Sequence, residues 1–91
     1  MTDEKIIKKI LEEIINEQQI SPFIKTDGLI NYIKEGIYDI NQNSGVEIDY
    51  DKDLKARSLL KNYVLYANHK RLAEFKELYY SEYAALQAKY Y

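Results

Sequence analysis

The residues most suggestive of chemistry are three alternate aspartates, Asp49, Asp51 and Asp53, because carboxylates spaced in this way occur in calcium-binding loops. Such loops also require a glycine at the sixth position and a glutamate at the twelfth. Counted from Asp49, these positions hold Leu54 and Leu60. We therefore reject a calcium site. Asp51 or Asp53 is predicted instead to cap the helix that follows, where a carboxylate accepts from unpaired backbone N–H groups.

Other arrangements that could support catalysis or metal binding are also missing from the sequence. His69 is the only histidine and there is no cysteine, so neither a zinc cluster nor a nucleophile paired with a base is indicated. The four serines lie in no nucleophile motif, and the three scattered glycines form no phosphate-binding loop. We expect a protein that is not an enzyme, with no catalytic residues, no bound metal and no cofactor.

Basic side chains are concentrated in residues 52–71, which carry six of them against one acid. The whole chain nevertheless has a net charge of −2, whereas a module that reads DNA sequence is usually basic overall. The cluster therefore supports at most a nonspecific contact, either with a nucleic acid backbone or with the acidic half of a neighbouring protein. The residues predicted to make this contact are Lys55, Arg57, Lys61, Lys70 and Arg71.

The two parts of the chain differ in charge. Residues 1–50 hold 5 basic and 10 acidic side chains, a net charge of −5, and residues 51–91 hold 8 and 5, a net charge of +3. Such a split is ordinary in a monomer. It also suits head-to-tail packing of copies, in which the acidic part of one meets the basic part of the next.

The elements that position these residues are predicted to be helices. The chain of 91 residues is 46% apolar and 31% charged, which fits a single globular domain over residues 1–91. Apolar residues recur with a helical period over about 3–19, from 26 or 27 to 41–45, over 53–67 and from 71 to the end. Residues 46–53 alternate in polarity, which indicates a short extended segment. We expect an all-α bundle of about four helices with that segment between the second and third.

No run of about 20 apolar residues is present, and the N-terminal residues do not follow the pattern of a secretory signal. We therefore expect a protein that is soluble, intracellular when made and without a membrane partner.

The third helix has apolar side chains on two sides. Ala56, Leu60 and Tyr63 share one side, and Leu54 and Leu65 lie on nearly the opposite side beside Lys61. The second side either packs within the chain or contacts a second copy. Tyrosine is enriched in protein interfaces, and five of the ten tyrosines fall within the last thirteen residues. The predicted interface residues are Leu54, Lys61, Leu65, Tyr80 and Tyr91.

Several motifs along the chain together resemble those of a known family. They are Asp27-Gly28-Leu29 through Ile33 and Gly36, Ile48-Asp49-Tyr50, Ala56-Arg57-Ser58-Leu59-Leu60, Tyr63-Val64-Leu65-Tyr66, Glu74-Phe75, and Glu82 through Ala85-Leu86-Gln87. In this spacing the chain resembles the head-tail connector proteins of tailed bacteriophages and prophages, which join the portal to the tail.

The resemblance implies a helical subunit without catalytic residues that assembles as a ring, often of twelve copies, beneath the portal vertex. Its expected partners are further copies of itself, the portal protein, and tail or head-completion proteins, with packaged DNA passing through the ring. The basic side chains of Lys55, Arg57, Lys70 and Arg71 would face the DNA channel or a neighbouring subunit. The expected location is the virion, and the bacterial cytoplasm during assembly.

An alternative function is a small helical regulatory or interaction module. Such a module would bind one protein partner through its tyrosine-rich C-terminal helix.

Overall fold

The protein folds into five α-helices in a computed structural model that describes residues 4–18 and 26–90. The helices are α1 (Glu4–Glu17), α2 (Thr26–Ser44), α3 (Leu54–Asn68), α4 (Leu72–Leu78) and α5 (Tyr80–Tyr90). No strand occurs among the described residues. The predicted all-α class is confirmed, whereas the C-terminal region contains two helices where the periodicity predicted one.

Helix α2 is the centre of the fold, since α1, α3 and α5 all pack against it, α3 most extensively. The apolar stripes predicted for the helices point inward. Ile10 and Ile14 of α1 and Ile33 and Ile40 of α2 are fully buried. One continuous core joins all five helices. Its other buried members are Leu29, Ile37, Ile48, Tyr50, Ala56, Leu59, Leu60, Tyr63, Val64, Ala67, Phe75, Tyr83 and Leu86.

The close packing of α2 on α3 depends on Gly36. A Cβ atom at this position would lie 2.6 Å from Cδ1 of Leu60 and 2.9 Å from Cδ1 of Tyr63, both distances shorter than van der Waals contact. Glycine inside a helix lowers its stability by about 1 kcal/mol relative to alanine. Here that loss accompanies a close approach of α3 to the α2 backbone.

The predicted extended segment at residues 46–53 is not confirmed as a strand, because these residues form a loop that ends in a turn. Gly45 closes α2 in the left-handed conformation that was predicted for it, with φ of 76°. The carbonyl of Asp49 accepts hydrogen bonds from the N–H groups of Lys52 and Asp53. The side chains of Ile48 and Tyr50 are buried as the alternation predicted, but Val46 is exposed.

The side chain of Asn41 holds this loop against α2. Its Oδ1 accepts from the backbone N–H of Ile48 at 3.2 Å and from the Tyr50 hydroxyl at 2.8 Å. A side-chain amide thus provides the loop with hydrogen bonds that a neighbouring strand would otherwise supply.

Helix α3 ends near the predicted break at 68–69. Lys70 adopts the left-handed conformation with φ of 58°, although it has a Cβ atom. The N–H of Arg71 donates to the carbonyl of Tyr66, and the N–H of Lys70 donates to that of Ala67. This pair of bonds commonly closes helices around a left-handed residue. The chain therefore reverses here without glycine or proline.

The C-terminal region bends at Tyr79, and the bend divides it into α4 and α5. Helix-type hydrogen bonds continue through it, from Tyr79 N–H to the Phe75 carbonyl and from Tyr83 N–H to the Tyr79 carbonyl. The Tyr79 ring stacks on Phe75 with centroids 4.8 Å apart and meets the Tyr66 ring edge-on at 5.9 Å. Because of the bend, α4 packs on α3 whereas α5 packs mainly on α2.

Candidate interaction surfaces

Two of the predicted basic contact residues form ion pairs with α1 within the same chain. The Glu13 carboxylate lies 2.9 Å from the Arg57 guanidinium and 3.1 Å from Lys61 Nζ. Lys61 also pairs with Glu17 at 2.9 Å. The guanidinium of Arg57 further donates to the carbonyl oxygens of Tyr50 and Asp51. The side chains of Arg57 and Lys61 are only 12% and 18% exposed, so neither offers a free cation to nucleic acid.

These ion pairs shift the pKa values of Glu13 and Lys61. Burial alone would raise the pKa of Glu13, but hydrogen bonds and charge from Lys61 and Arg57 outweigh it and the pKa is lowered. Burial would likewise lower the pKa of Lys61, yet Glu17 and Glu13 raise it. Both shifts favour the charged forms of Glu13 and Lys61 at neutral pH. The acidic N-terminal part of the chain and its basic C-terminal part thus meet within one subunit.

The other predicted basic residues differ in their surroundings. Arg71 pairs with Glu74 one turn along, and its guanidinium lies over the Tyr66 ring at 5.9 Å from the centroid. Lys55 and Lys70 are exposed and form no ion pair with residues 4–18 or 26–90. The cluster seen in the sequence is therefore divided into paired and unpaired cations.

The predicted interface residues also differ in exposure. Leu54 is 66% exposed and Tyr80 is 75% exposed. Leu65 is half-buried, and Lys61 is engaged by α1 as described above. Tyr91 lies outside the described residues. Of the four members within the described residues, Leu54 and Tyr80 are therefore the ones most exposed to a partner.

Sequence analysis did not select three further exposed apolar side chains. Tyr38 is 68% exposed, Leu78 63% and Val46 38%. The helical period already contained part of this signal, because Tyr38 lies opposite the inner stripe of α2 and Leu78 lies well off the stripe shared by Phe75 and Tyr83. For Val46, the alternating polarity predicted a buried side chain, whereas the side chain is exposed.

A groove of about 550 Å³ lies between the C-terminal half of α2 and the loop that follows it. Ile37, Tyr38 and Val46 provide its apolar side chains, while Lys34, Asn41 and Glu47 are among those that provide polar groups. The groove is open to solvent and has room for an apolar side chain of a partner.

Most of the C-terminal tyrosines are used inside the fold. The Tyr83 hydroxyl donates to Oδ2 of Asp39 at 2.6 Å, and burial, reinforced by this carboxylate, raises the pKa of Tyr83. Lys76 pairs with the same Asp39 oxygen and lies over the Tyr83 ring, 4.8 Å from its centroid. The side-chain amide of Asn43 donates to the Tyr83 carbonyl at 2.9 Å. The middle of the C-terminal region is thus fixed to α2.

Asp53 ties the end of α5 to the start of α3. Its Oδ1 accepts from the N–H of Ala56 at 3.0 Å, as a helix cap does, and this confirms the predicted capping role. Its Oδ2 accepts from Lys89 at 3.0 Å and from the Tyr90 hydroxyl. Burial would raise the pKa of Asp53, but the Tyr90, Ala56 and Lys89 donors outweigh it and lower the pKa. One buried carboxylate thus joins two helix ends.

No group of three or more histidine, cysteine, aspartate or glutamate side chains in 4–18 and 26–90 is arranged to hold a metal ion. Within the same ranges, no helix combines the length and the apolar content needed to cross a bilayer.

Comparisons of the chain with protein-family models, with curated proteins and with solved structures gave no match in any of the three.

Proposed function

We propose that the protein is a noncatalytic structural adaptor of a tailed-bacteriophage particle, one that assembles into a ring and joins the portal vertex to the tail. The single observation that supports it best is the exposure of large apolar side chains, above all Leu54, Leu78 and Tyr80, on a subunit that has a buried core of its own. Contiguous exposed apolar area is typical of surfaces that other proteins cover. The motif spacing described above provides the connection to head-tail connectors.

The use of charged side chains also supports an assembly role. Glu13, Arg57, Lys61 and Asp53 all join helices of one subunit. A small domain buries limited apolar area, and such internal ties help it to hold one shape before it meets a partner. A rigid subunit loses less conformational freedom when it assembles.

The alternative function, a module that binds one partner through the C-terminal helix, receives less support. Tyr83 is buried and Tyr90 donates to Asp53, so these two rings are already packed within the fold. Among the described residues of α5, Tyr80 is the one large apolar side chain that remains exposed. Nonspecific nucleic acid binding is supported less still, because Arg57, Lys61 and Arg71 are paired.

The test is to mix the purified chain with the portal protein encoded beside it and to image the mixture by electron microscopy. We expect a ring of added density on one face of the portal. Variants Leu54→Ser and Tyr80→Ser should lose this density while their free energy of unfolding changes by only about 0.5 kcal/mol, as for most surface substitutions. The matched core variant Leu60→Ser should instead lose about 2–5 kcal/mol.

Two outcomes would contradict the proposal. One is a chain that neither self-associates nor binds the portal at any concentration. The other is a gene with no portal or capsid gene near it, which would favour the single-partner module. Binding to DNA that weakens steeply with salt and depends on Lys55 and Lys70 would instead indicate the nucleic acid function.

A further inference from the structure

Two exposed apolar patches of opposite charge lie on this subunit. The first, here called the basic patch, consists of Lys52, Leu54 and Lys55 at the start of α3. The second, the acidic patch, consists of Glu77, Leu78 and Glu82 at the junction of α4 and α5, where a helical period of about 100° per residue places them within one arc of about 140°. All six side chains are exposed. Each patch therefore combines one large apolar side chain with two charges of one sign.

The four charges in the patches take part in no ion pair within the described chain, although the charge of Lys52 acts at longer range on the Asp51 carboxylate. Lys52, Lys55, Glu77 and Glu82 form no ion pair with residues 4–18 or 26–90. This distinguishes them from Arg57 and Lys61, whose charges α1 already satisfies. A partner that supplies opposite charge would therefore gain contacts that the monomer does not make.

Charges next to the patches do not reverse their signs. Near the basic patch, Asp51 pairs with Lys9 and Asp53 with Lys89. The remaining acid there is Asp49, whose carboxylate accepts from the N–H of Asp51, so Lys52 and Lys55 leave a net positive charge. Near the acidic patch, Lys76 is already paired with Asp39, and Arg71 is already paired with Glu74. These two cations therefore do not neutralise the patch.

The two patches cannot cover each other in one subunit. The acidic patch flanks Tyr79, whose ring contacts Tyr66 near the end of α3. Tyr66 is twelve residues beyond Leu54, which corresponds to about 18 Å at 1.5 Å per residue. The patches therefore lie near opposite ends of the same helix.

We propose that the basic patch of one copy binds the acidic patch of the next, so that subunits associate head to tail. The proposal rests on the self-association in the proposed function and assigns the surfaces that perform it. Leu54 packs against Leu78, while the two lysines meet the two glutamates. Because the two patches differ, a row of bound copies has one unoccupied patch at each end. The contact can therefore repeat until a ring closes, or continue as a filament.

The test uses reversed charges and sedimentation velocity across a range of protein concentrations. A variant with Lys52→Glu and Lys55→Glu has two acidic patches, and one with Glu77→Lys and Glu82→Lys has two basic patches. Each alone should repel itself and sediment as a monomer. Their mixture should regain assembly, with the two variants alternating, and a chain carrying all four changes should also assemble.

The matched control is Lys34→Glu on the exposed side of α2. It makes the net charge more negative without altering either patch and should assemble as the unaltered protein does. Assembly of the unaltered protein should weaken as salt rises, because exposed charges are screened. Circular dichroism of each variant establishes that it is folded.

Crosslinking can detect association that is too weak for sedimentation. Because the chain has no cysteine, a single cysteine introduced at a chosen position reacts alone. Lys55→Cys in one preparation and Leu78→Cys in another should give a crosslinked pair when the two are mixed with a short bifunctional reagent. Lys34→Cys in place of Lys55→Cys should not. Crosslinking no stronger than this control would overturn the assignment of the patches.

The failures of the two proposals are distinguishable. If the unaltered protein assembles but the reversed charges have no effect, or the mixture does not restore assembly, then the patch contact is wrong and the adaptor function stands. If the unaltered protein neither sediments as an assembly nor crosslinks at any concentration, self-association itself is contradicted, and the adaptor function with it.

Discussion

At the scale of single residues, Gly36 shows how one missing side chain determines where two helices meet. Replacing Gly36 by alanine should destabilise the protein, although alanine favours the helix by about 1 kcal/mol. The added methyl would meet Leu60 and Tyr63 inside a filled core, and overpacking of this kind costs about 1–3 kcal/mol. Urea denaturation followed by circular dichroism measures the difference.

The matched control is Gly28→Ala in the same helix. Nothing lies within 4 Å of a Cβ atom there, and Gly28 is exposed. This variant should gain stability by up to about 1 kcal/mol from helix propensity alone. If both variants were stabilised to the same extent, the close approach of α3 to Gly36 would be contradicted.

Residues whose role follows from local chemistry were predicted from the sequence. Gly45 as a left-handed helix end and Asp53 as a cap both follow from properties of the residue itself. Lys70 was not predictable as a left-handed residue, because its side chain does not favour that conformation. It adopts it where α4 turns back to pack on α3, so the preference comes from tertiary structure.

At the scale of elements, Asp53 links the first turn of α3 to the last turn of α5. Replacement by alanine should lower stability by about 1–2 kcal/mol through loss of the cap, with a further loss from Lys89 and Tyr90. Asparagine caps helices as well as aspartate does. Asp53→Asn should therefore keep the cap and lose mainly the ion pair with Lys89.

The pH dependence of stability separates these contributions. Because the pKa of Asp53 is lower in the folded chain than in the unfolded one, its charge stabilises the fold fully above about pH 4 and this stabilisation is lost as pH falls through the lowered native value. Denaturation of Asp53→Asn should show a smaller loss over that acidic range than the unaltered protein. An equal loss would mean that the Asp53 charge does not act as described.

The elements that sequence reasoning missed are those defined by contacts distant in the chain. Helices α1, α2 and α3 were found because their apolar residues keep one period over three or more turns. The bend at Tyr79 leaves that period intact, since helix-type hydrogen bonds continue through it, so periodicity alone gave one helix. The loop at 46–53 looked extended because Ile48 and Tyr50 are buried with one residue between them, an arrangement that a turn can also produce.

At the scale of the whole molecule, the charge split between the two parts of the chain is largely an internal feature. Lys61 and Arg57 of α3 neutralise Glu13 and Glu17 of α1 and hold the two helices together. The composition alone could not distinguish this from attraction between copies. Only the structure separates the paired charges from the unpaired ones. Fewer basic side chains are therefore free to contact a partner than the sequence indicated.

Two buried tyrosines make the free energy of unfolding depend on pH in the alkaline range. Burial raises the pKa of Tyr50 and of Tyr83, and the carboxylates of Asp53 and Asp39, respectively, add to the effect. An unfolded chain ionises its tyrosines at about pH 10. Since the folded values lie higher, stability is complete below about pH 10 and falls as pH rises above it.

We therefore expect the phenolates of Tyr50 and Tyr83 to form only as helix is lost. Near-ultraviolet tyrosinate absorbance and far-ultraviolet circular dichroism, recorded in one alkaline titration, measure the two events together. Tyr83→Phe should lose about 1.5–3 kcal/mol at neutral pH, because its hydroxyl donates to the Asp39 carboxylate at 2.6 Å. The same variant should show a smaller absorbance change during unfolding and a shallower loss of stability above pH 10. Complete ionisation of all ten tyrosines while the helices persist would contradict the burial of these rings, and with it the packing of α5 on α2.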